Sequence, residues 1–238
     1  MSIVKHIPNT ITLLNLLAGV TGVIFTLSGD PAAGLPCMLA AAVFDFCDGL
    51  AARLLNAPSP IGKELDSLAD VVSFGVLPAV MLHMMIGGAV WWISFIPLLL
   101  AAFSALRLAK FNVDTRQESN FLGLPTPASA LLAASFCHYT LMASPGWLER
   151  CLIWLVPALA LGLSALVVSE LPMFGMKIKK GHKLLDGKRI VFLAFGVLAV
   201  VFTVAFSQPW SLAILLIFVF YVLENVFLAL FCKELKTK

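Results

Sequence analysis

The sequence predicts an all-α integral membrane protein, a bundle of about eight transmembrane helices with both termini in the cytoplasm. Of its 238 residues, 61% are hydrophobic and 12% are charged, whereas soluble domains average roughly 45–50% and about 25%. The mean hydropathy is +0.99, which leaves too little polar surface to cover a water-soluble globule. Disorder requires the opposite composition. The lipid bilayer is therefore the expected environment of this chain.

Apolar stretches separated by polar, Gly or Pro breaks occupy nearly the whole chain. A transmembrane helix needs about 20 mostly apolar residues, and the eight candidate spans cover residues 11–27, 32–55, 65–86, 90–111, 125–143, 148–171, 190–206 and 210–232. The first is interpreted as a helix and not as a cleaved signal peptide, because no clear small-x-small cleavage site follows it. Without internal repeats or linkers, residues 1–238 are expected to form a single transmembrane domain.

The basic residues predict the orientation of these spans. Fifteen of the 16 Lys and Arg residues lie at the termini or in alternate loops, and only Arg150 lies on the other side. Because basic loops are retained in the cytoplasm, this alternation favours an even number of spans with both termini inside. The dense run at 177–189 is interpreted as such a loop, touching anionic lipid headgroups, and no nucleic-acid partner is expected.

The other polar and sulfur-containing residues offer no second candidate site. The five cysteines are odd in number and lie in or against apolar runs, which is typical of packing residues. The four histidines show no ligand spacing. Glu170, and the pair Glu224 and Asn225 in the last span, are left without an assigned role.

Four aspartates near one end of the second and third predicted helices form the main candidate site. Asp45 and Asp48, and then Asp66 and Asp70, are separated by a Pro- and Gly-containing break at 58–62. Carboxylates inside membrane helices cost about 2.5–3.5 kcal/mol each and are candidates for function. Spacings of three and four residues place each pair on one helix face. Four negative charges brought together require cations, and oxygen-only ligands suit Mg²⁺ or Mn²⁺.

Such a site can serve phosphoryl chemistry, because divalent cations with open coordination positions can hold substrate phosphates. The alternative from the same residues is a divalent-cation transporter. Transport sites usually lie near the bilayer midplane between repeats or broken helices, whereas these acids lie at one face. The enzyme is therefore the favoured prediction.

The aspartates belong to a longer pattern of eight specified positions in 26 residues. It reads Asp45-x2-Asp48-Gly49-x2-Ala52-Arg53-x8-Gly62-x3-Asp66-x3-Asp70. This pattern resembles the signature of the CDP-alcohol phosphatidyltransferase family. The segments at 107–112, 121–127 and 169–177 resemble its phosphatidylserine synthase branch, with Glu170 as a departure. Specific matches run over residues 8–177.

The resemblance implies transfer of the phosphatidyl group of CDP-diacylglycerol to L-serine, giving phosphatidylserine and CMP by metal-assisted direct displacement. Two divalent ions, Mg²⁺ or Mn²⁺, would be held by the signature carboxylates, which are Asp45, Asp48, Asp66 and Asp70. Asp70 would also act as the general base. The CDP moiety would be bound by the remaining signature residues, which are Gly49, Ala52, Arg53 and Gly62.

The acceptor site is expected among polar residues at neighbouring helix ends. The candidates for binding the acceptor or the lipid phosphate are Asn15, Arg107, Lys110 and Asn112. Arg107 and Lys110, three residues apart, are expected to share one face, although interfacial snorkelling also explains them. Another alcohol, such as glycerol 3-phosphate or an inositol phosphate, is the alternative acceptor. We expect the plasma membrane of a prokaryote, an active site on its cytoplasmic face and a possible homodimer.

Overall fold

The computed structural model describes residues 6–86, 92–113, 121–143, 146–173 and 187–231. This part of the chain contains nine α-helices: α1 His6–Leu27, α2 Gly34–Leu54, α3 Pro60–Asp70, α4 Leu77–Ile86, α5 Leu99–Val113, α6 Thr126–Ala143, α7 Gly146–Val168, α8 Gly187–Ala205 and α9 Ser211–Phe231. The 3₁₀ turns Pro31–Ala33 and Ile93–Leu98 lead into α2 and α5. Most of the basic run at 177–189 lies outside the described residues.

A helix occurs in each of the eight predicted apolar stretches, so the all-helical prediction is confirmed. Among the described residues, six helical segments are long and apolar enough to cross a membrane: His6–Leu27, Pro31–Leu54, Pro60–Ile86, Ile93–Val113, Cys151–Val168 and Ser211–Ala229. The chain is therefore a helical integral membrane protein. In α8 the apolar part, Arg189–Ala205, is shorter, and α6 is not among the six, so the count of eight spans stays a prediction.

The third span is one continuous helix that consists of α3, a π-helical segment at Val71–Val76 and α4. It begins at Pro60, five residues before the predicted residue 65, because Ser59 caps it: its hydroxyl accepts a hydrogen bond from the Gly62 amide at 3.0 Å. Proline at the first helical position suits this start. The wide turns accommodate Pro78, whose ring would clash with the carbonyl four residues earlier in a regular helix.

Helix α6 is the best-buried helix near the centre of the bundle. Eleven of its 18 residues are buried, and it contacts α2, α4, α7 and α9. Its inward face carries small residues, which allow neighbouring helices to approach closely. Because protein surrounds much of α6, it can carry hydroxyl groups and His138 at positions that lipid would disfavour.

A pair of two-residue strands ties the start of α6 to the end of α7. Strand β1, Phe121–Leu122, pairs antiparallel with β2, Pro172–Met173. Gly123, which follows β1, has a φ of +76°, and a Cβ there would lie 2.6 Å from the carbonyl oxygens of Val167 and Ser169. Only glycine meets both requirements. Because the strand pair follows α7, the sixth span ends at Val168, three residues before the predicted residue 171. The same strand pair holds Thr126, at the start of α6, at a defined position.

Candidate active site

Three of the four predicted carboxylates converge at the facing ends of α2 and α3. One oxygen each of Asp45, Asp48 and Asp66 lies within 4.8 Å of the others. Asp48 is 6% exposed, and the other two are half-buried. Like charges this close repel strongly where water is scarce. The cluster therefore requires a cation to be stable in its ionised form.

Asp70 lies at the end of α3 and is bound to a different partner. Its Oδ1 accepts a hydrogen bond from Asn15 Nδ2 at 3.2 Å, and Asn15 is fully buried. The Asp70 carboxylate also interacts electrostatically with the other three aspartates. The hydroxyl of Ser73 donates to the Asn15 carbonyl at 3.0 Å. Asn15 on α1 thus holds one oxygen of Asp70 by a hydrogen bond, and its side chain lies beside the carboxylates.

The unsatisfied atoms of this site fit a divalent cation. Asn15 Oδ1, Asp48 Oδ2 and Asp66 Oδ1 are buried and accept no hydrogen bond. All three are acceptor oxygens, so none can satisfy another. A hard cation such as Mg²⁺ or Mn²⁺ takes carboxylate and amide oxygens as ligands. The donor set is therefore chemically suited to a divalent metal ion.

A groove of about 250 Å³ opens beside the carboxylates between α1, α2 and α3. Gly49, Ala52 and Gly62 lie in its walls. A Cβ on Gly49 would meet no atom within 4 Å, whereas one on Gly62 would lie 2.9 Å from Asn9 Oδ1 and Ser59 Oγ. The face of α2 is thus open to a ligand, and Gly62 lets α3 pack closely against α1.

Four polar residues line the groove that were not predicted as site residues: Asn9, Thr12, Ser59 and Lys63. Lys63 precedes Asp66 by one turn and could have been found as a cation beside the signature. Its Nζ donates to the Asn112 carbonyl at 3.1 Å. Arg53, predicted to bind CDP, does not line the groove: its side chain is exposed and its Nε donates to the Gly49 carbonyl at 2.8 Å.

Arg107 on α5 is buried next to the carboxylates, with 8% of its surface exposed. Its Nη1 donates to Thr126 Oγ1 at 2.9 Å, and its guanidinium lies within electrostatic range of the Asp70 carboxylate. Its Nε is buried and has no hydrogen-bond partner. The guanidinium is therefore anchored at one nitrogen, with the edge formed by Nε and Nη2 left for a ligand.

The other two predicted acceptor residues are placed differently from Arg107. Lys110 is exposed, whereas Arg107 is buried, and the expectation that the two share one face stays a prediction. The Asn112 amide donates to Ser67 Oγ at 2.8 Å, which joins α5 to α3. A spacing of three residues allows side chains to diverge by about 60°, and the boundary of the protein interior falls between these two cations.

Comparison with known proteins identifies the family of this chain. Residues 5–166 match the family model for CDP-alcohol phosphatidyltransferase. A CDP-diacylglycerol–serine O-phosphatidyltransferase of Mycobacterium tuberculosis strain H37Rv is 34% identical over 215 residues, 87% of this chain and 72% of that protein. The enzyme of the same name from Bacillus subtilis is 30% identical over 190 residues, covering 77% and 98%.

An archaeal relative, the archaetidylserine synthase of Methanothermobacter thermautotrophicus, is 34% identical over 132 residues, which is 55% of this chain and 57% of that protein. The chain thus combines a membrane-embedded helical bundle, clustered aspartates beside an open groove and a family match over most of its length. The protein belongs to the CDP-alcohol phosphatidyltransferase family. The family predicted from the signature is confirmed.

Proposed function

We propose that this protein is a CDP-diacylglycerol–serine O-phosphatidyltransferase, which transfers the phosphatidyl group of CDP-diacylglycerol to L-serine and releases CMP. The observation that carries this proposal is the convergence of Asp45, Asp48 and Asp66 beside an open groove. Relatives named for the serine reaction occur among mycobacteria, Bacillus subtilis and Helicobacter pylori. Membership of this family favours the transferase over the cation transporter.

The carboxylates Asp45, Asp48, Asp66 and Asp70 would hold two divalent ions, Mg²⁺ or Mn²⁺. The buried oxygen of Asn15 is an additional candidate ligand, because it lies beside Asp70 and accepts no hydrogen bond. Bound divalent ions supply charge neutralisation of the diphosphate and of the departing CMP. Without them, the four carboxylates would repel an anionic substrate.

The nucleotide end of CDP-diacylglycerol would lie in the groove. The small residues Gly49 and Ala52 let a flat ligand approach the surface of α2, and Gly62 keeps α3 close to α1. Arg53 would contact a phosphate from the exposed end of α2, where its bond to the Gly49 carbonyl orients it. Lys63 adds a positive charge inside the groove.

Asp70 would act as the general base. It would take the proton from the serine hydroxyl while that oxygen bonds to the β-phosphorus, and the bond from phosphorus to the CMP oxygen breaks. Because Asn15 already donates to Oδ1 of Asp70, the other oxygen is the one available for the proton. A base must lie within hydrogen-bond reach of the hydroxyl it deprotonates, and the buried end of α3 allows this.

Serine would be recognised through its carboxylate by Arg107. A guanidinium edge with two parallel donors matches a carboxylate, and Nε of Arg107 has no other partner. Arg107 is the one buried cation among the residues that the structure describes. A phosphorylated acceptor brings about two negative charges and would require more than one buried cation. Lys110 and Asn112, nearer the surface, would serve the lipid phosphate.

We further propose that residues 1–238 form a single transmembrane domain of eight spans with both termini in the cytoplasm. The alternation of basic loops supports this topology. In this topology the carboxylates would lie at the cytoplasmic face, where serine is available, and the membrane would be the plasma membrane of a prokaryote. The homodimer stays a prediction, which cross-linking in native membranes would test.

The decisive experiment is an assay of CMP release by the purified protein in detergent, with CDP-diacylglycerol and Mn²⁺ or Mg²⁺. Serine, glycerol 3-phosphate, inositol 1-phosphate and inositol are offered separately. We expect release with serine, and its loss in Asp70→Asn. Asp30→Asn is the matched control, because Asp30 is exposed and caps a 3₁₀ turn at the start of α2. Release with another alcohol alone would contradict the serine assignment.

A further inference from the structure

The third span changes its helical geometry directly after Asp70. The π-helical segment Val71–Val76 begins at the next residue, and its Ser73, Phe74 and Gly75 are buried. π-helical turns are rare and occur frequently at functional sites. Because this one follows the proposed base, its contacts are candidates for a role in catalysis.

Ser73 in this segment connects the third span to α1. Its side chain is fully buried, and its hydroxyl donates to the Asn15 carbonyl at 3.0 Å, across 58 residues of sequence. Ser and Thr hydroxyls inside helices often bond to a carbonyl of their own helix, as those of Ser135 and Thr140 in α6 do. Ser73 differs from them, because its hydroxyl joins two helices.

Gly19, one turn after Asn15, allows the two helices to approach this closely. A Cβ at Gly19 would lie 2.8 Å from Ser73 Cα and 3.0 Å from Ser73 Cβ. Small residues let membrane helices pack backbone against backbone, and a larger residue at position 19 would push Ser73 away from α1. The backbone of α1 therefore lies against the π-helical segment, and the hydrogen bond from Ser73 fixes the Asn15 carbonyl.

Asn15 connects this contact to Asp70. Its side chain is fully buried, and its Nδ2 donates to Asp70 Oδ1 at 3.2 Å. The third span therefore contacts Asn15 at two atoms, with Asp70 at the side-chain amide and Ser73 at the main-chain carbonyl. An asparagine side chain is short and has few rotatable bonds, so its amide reaches Asp70 only from a narrow range of backbone positions.

The direction of the Asp70 carboxylate matters for the proposed reaction. A general base must lie within hydrogen-bond reach of the hydroxyl from which it takes the proton, and a displacement of about 1 Å can cost about 100-fold in rate. The hydrogen bond from Asn15 occupies Oδ1 and so determines where the second oxygen points. A group that fixes Asn15 would therefore act on the chemical step more than on substrate binding.

We propose that Ser73 is a positioning residue of the active site: its hydroxyl fixes the backbone of Asn15, and the Asn15 amide orients the carboxylate of Asp70. This inference rests on the proposed function, in which Asp70 is the base. Ser73 is not among the residues that line the groove, so it acts through Asn15 and not by contact with the nucleotide.

The test is Ser73→Ala, which removes one oxygen from the third span and adds no bulk. We expect kcat for CMP release at saturating Mn²⁺ to fall about ten-fold or more, with the KM for CDP-diacylglycerol unchanged. The matched control is Ser135→Ala, because Ser135 is a buried serine whose hydroxyl bonds to the carbonyl of Leu132 in its own helix. This control should keep the wild-type kcat.

A double-mutant cycle with Asn15→Ala shows whether Ser73 acts through Asn15. If it does, the double variant should lose no more activity than Asn15→Ala alone, whereas independent losses would multiply. Multiplied losses, or an unchanged kcat in Ser73→Ala, would overturn the inference. A lower Tm with the wild-type kcat would also overturn it, because that is the result of a purely structural role. Where Asn15→Ala has no measurable activity, the kcat and KM of Ser73→Ala decide.

Failure of this inference can be distinguished from failure of the proposed function. A wild-type protein that releases CMP with serine, together with an unchanged Ser73→Ala variant, overturns the inference and leaves the function intact. If the wild-type protein releases CMP only with another alcohol, the serine assignment fails, and Ser73→Ala is tested with that alcohol. No release with any acceptor overturns both.

Discussion

Replacing Thr126 by valine should weaken serine binding without disturbing the fold. Thr126 is fully buried, and its hydroxyl accepts the bond from Arg107 Nη1 at 2.9 Å. Valine has nearly the same shape, so the change removes this bond and leaves a second nitrogen of the buried guanidinium unsatisfied. A hydrogen bond to a charged group contributes about 1.5–3 kcal/mol. Since about 1.4 kcal/mol corresponds to a factor of ten, the KM for serine should rise about 10- to 100-fold.

The assay is CMP release at saturating CDP-diacylglycerol with serine as the varied substrate. Thr140→Val is the matched control, because Thr140 is a buried threonine of the same helix whose hydroxyl donates to the carbonyl of Phe136. The control should keep the wild-type KM. If Thr126→Val also keeps it while remaining active, the anchored guanidinium does not bind serine and our account of the acceptor site is refuted.

Three further predictions concern the metal site, the strand pair and the groove. Asp45→Asn should raise the Mn²⁺ concentration needed for half-maximal CMP release by about ten-fold or more. The measurement is a metal titration with Asp30→Asn as the control. An unchanged midpoint in Asp45→Asn would show that Asp45 is not part of the metal site. Gly123→Ala should lower the Tm, because its Cβ would lie 2.6 Å from two carbonyl oxygens at a positive φ. The control Gly162→Ala should leave the Tm unchanged or raise it, because a Cβ there meets no atom within 4 Å. Equal shifts of the Tm in the two variants would contradict this reasoning. Gly49→Ala should raise the KM for CDP-diacylglycerol with no loss of Tm, because the new methyl group enters open groove space; an unchanged KM would place the nucleotide elsewhere.

The sequence predicts the helices well because each depends on local composition. Apolar runs bounded by Gly, Pro and charged residues locate a helix in each of the eight predicted stretches. The spacing of Asp45 and Asp48 likewise predicts one face of α2, and the structure brings that face to Asp66. These features depend on helix geometry alone, which a single sequence contains.

Long-range contacts could not be predicted in this way. Nothing local indicates that Asn15 donates to Asp70, 55 residues away, or that Arg107 donates to Thr126, 19 residues away. The spacing of Arg107 and Lys110 predicts that they share one face of α5, but which of the two is buried depends on how α5 packs against the rest of the bundle. The early start of α3 follows from Ser59 and Pro60. These residues are a helix-capping signal, which a hydropathy pattern does not include.

The π-helical segment at Val71–Val76 has a consequence for how this chain can vary in length. Each residue of an α-helix turns the chain by about 100°, and a wide turn holds one residue more than a regular turn. Deleting one residue here would leave a regular turn that still closes one full rotation, so α3, with Asp66 and Asp70, would keep its orientation around the helix axis relative to α4. Deleting one residue from the regular turns on either side would instead rotate the two aspartates by about 100°. A one-residue change of length therefore keeps the aspartates in phase only within this segment.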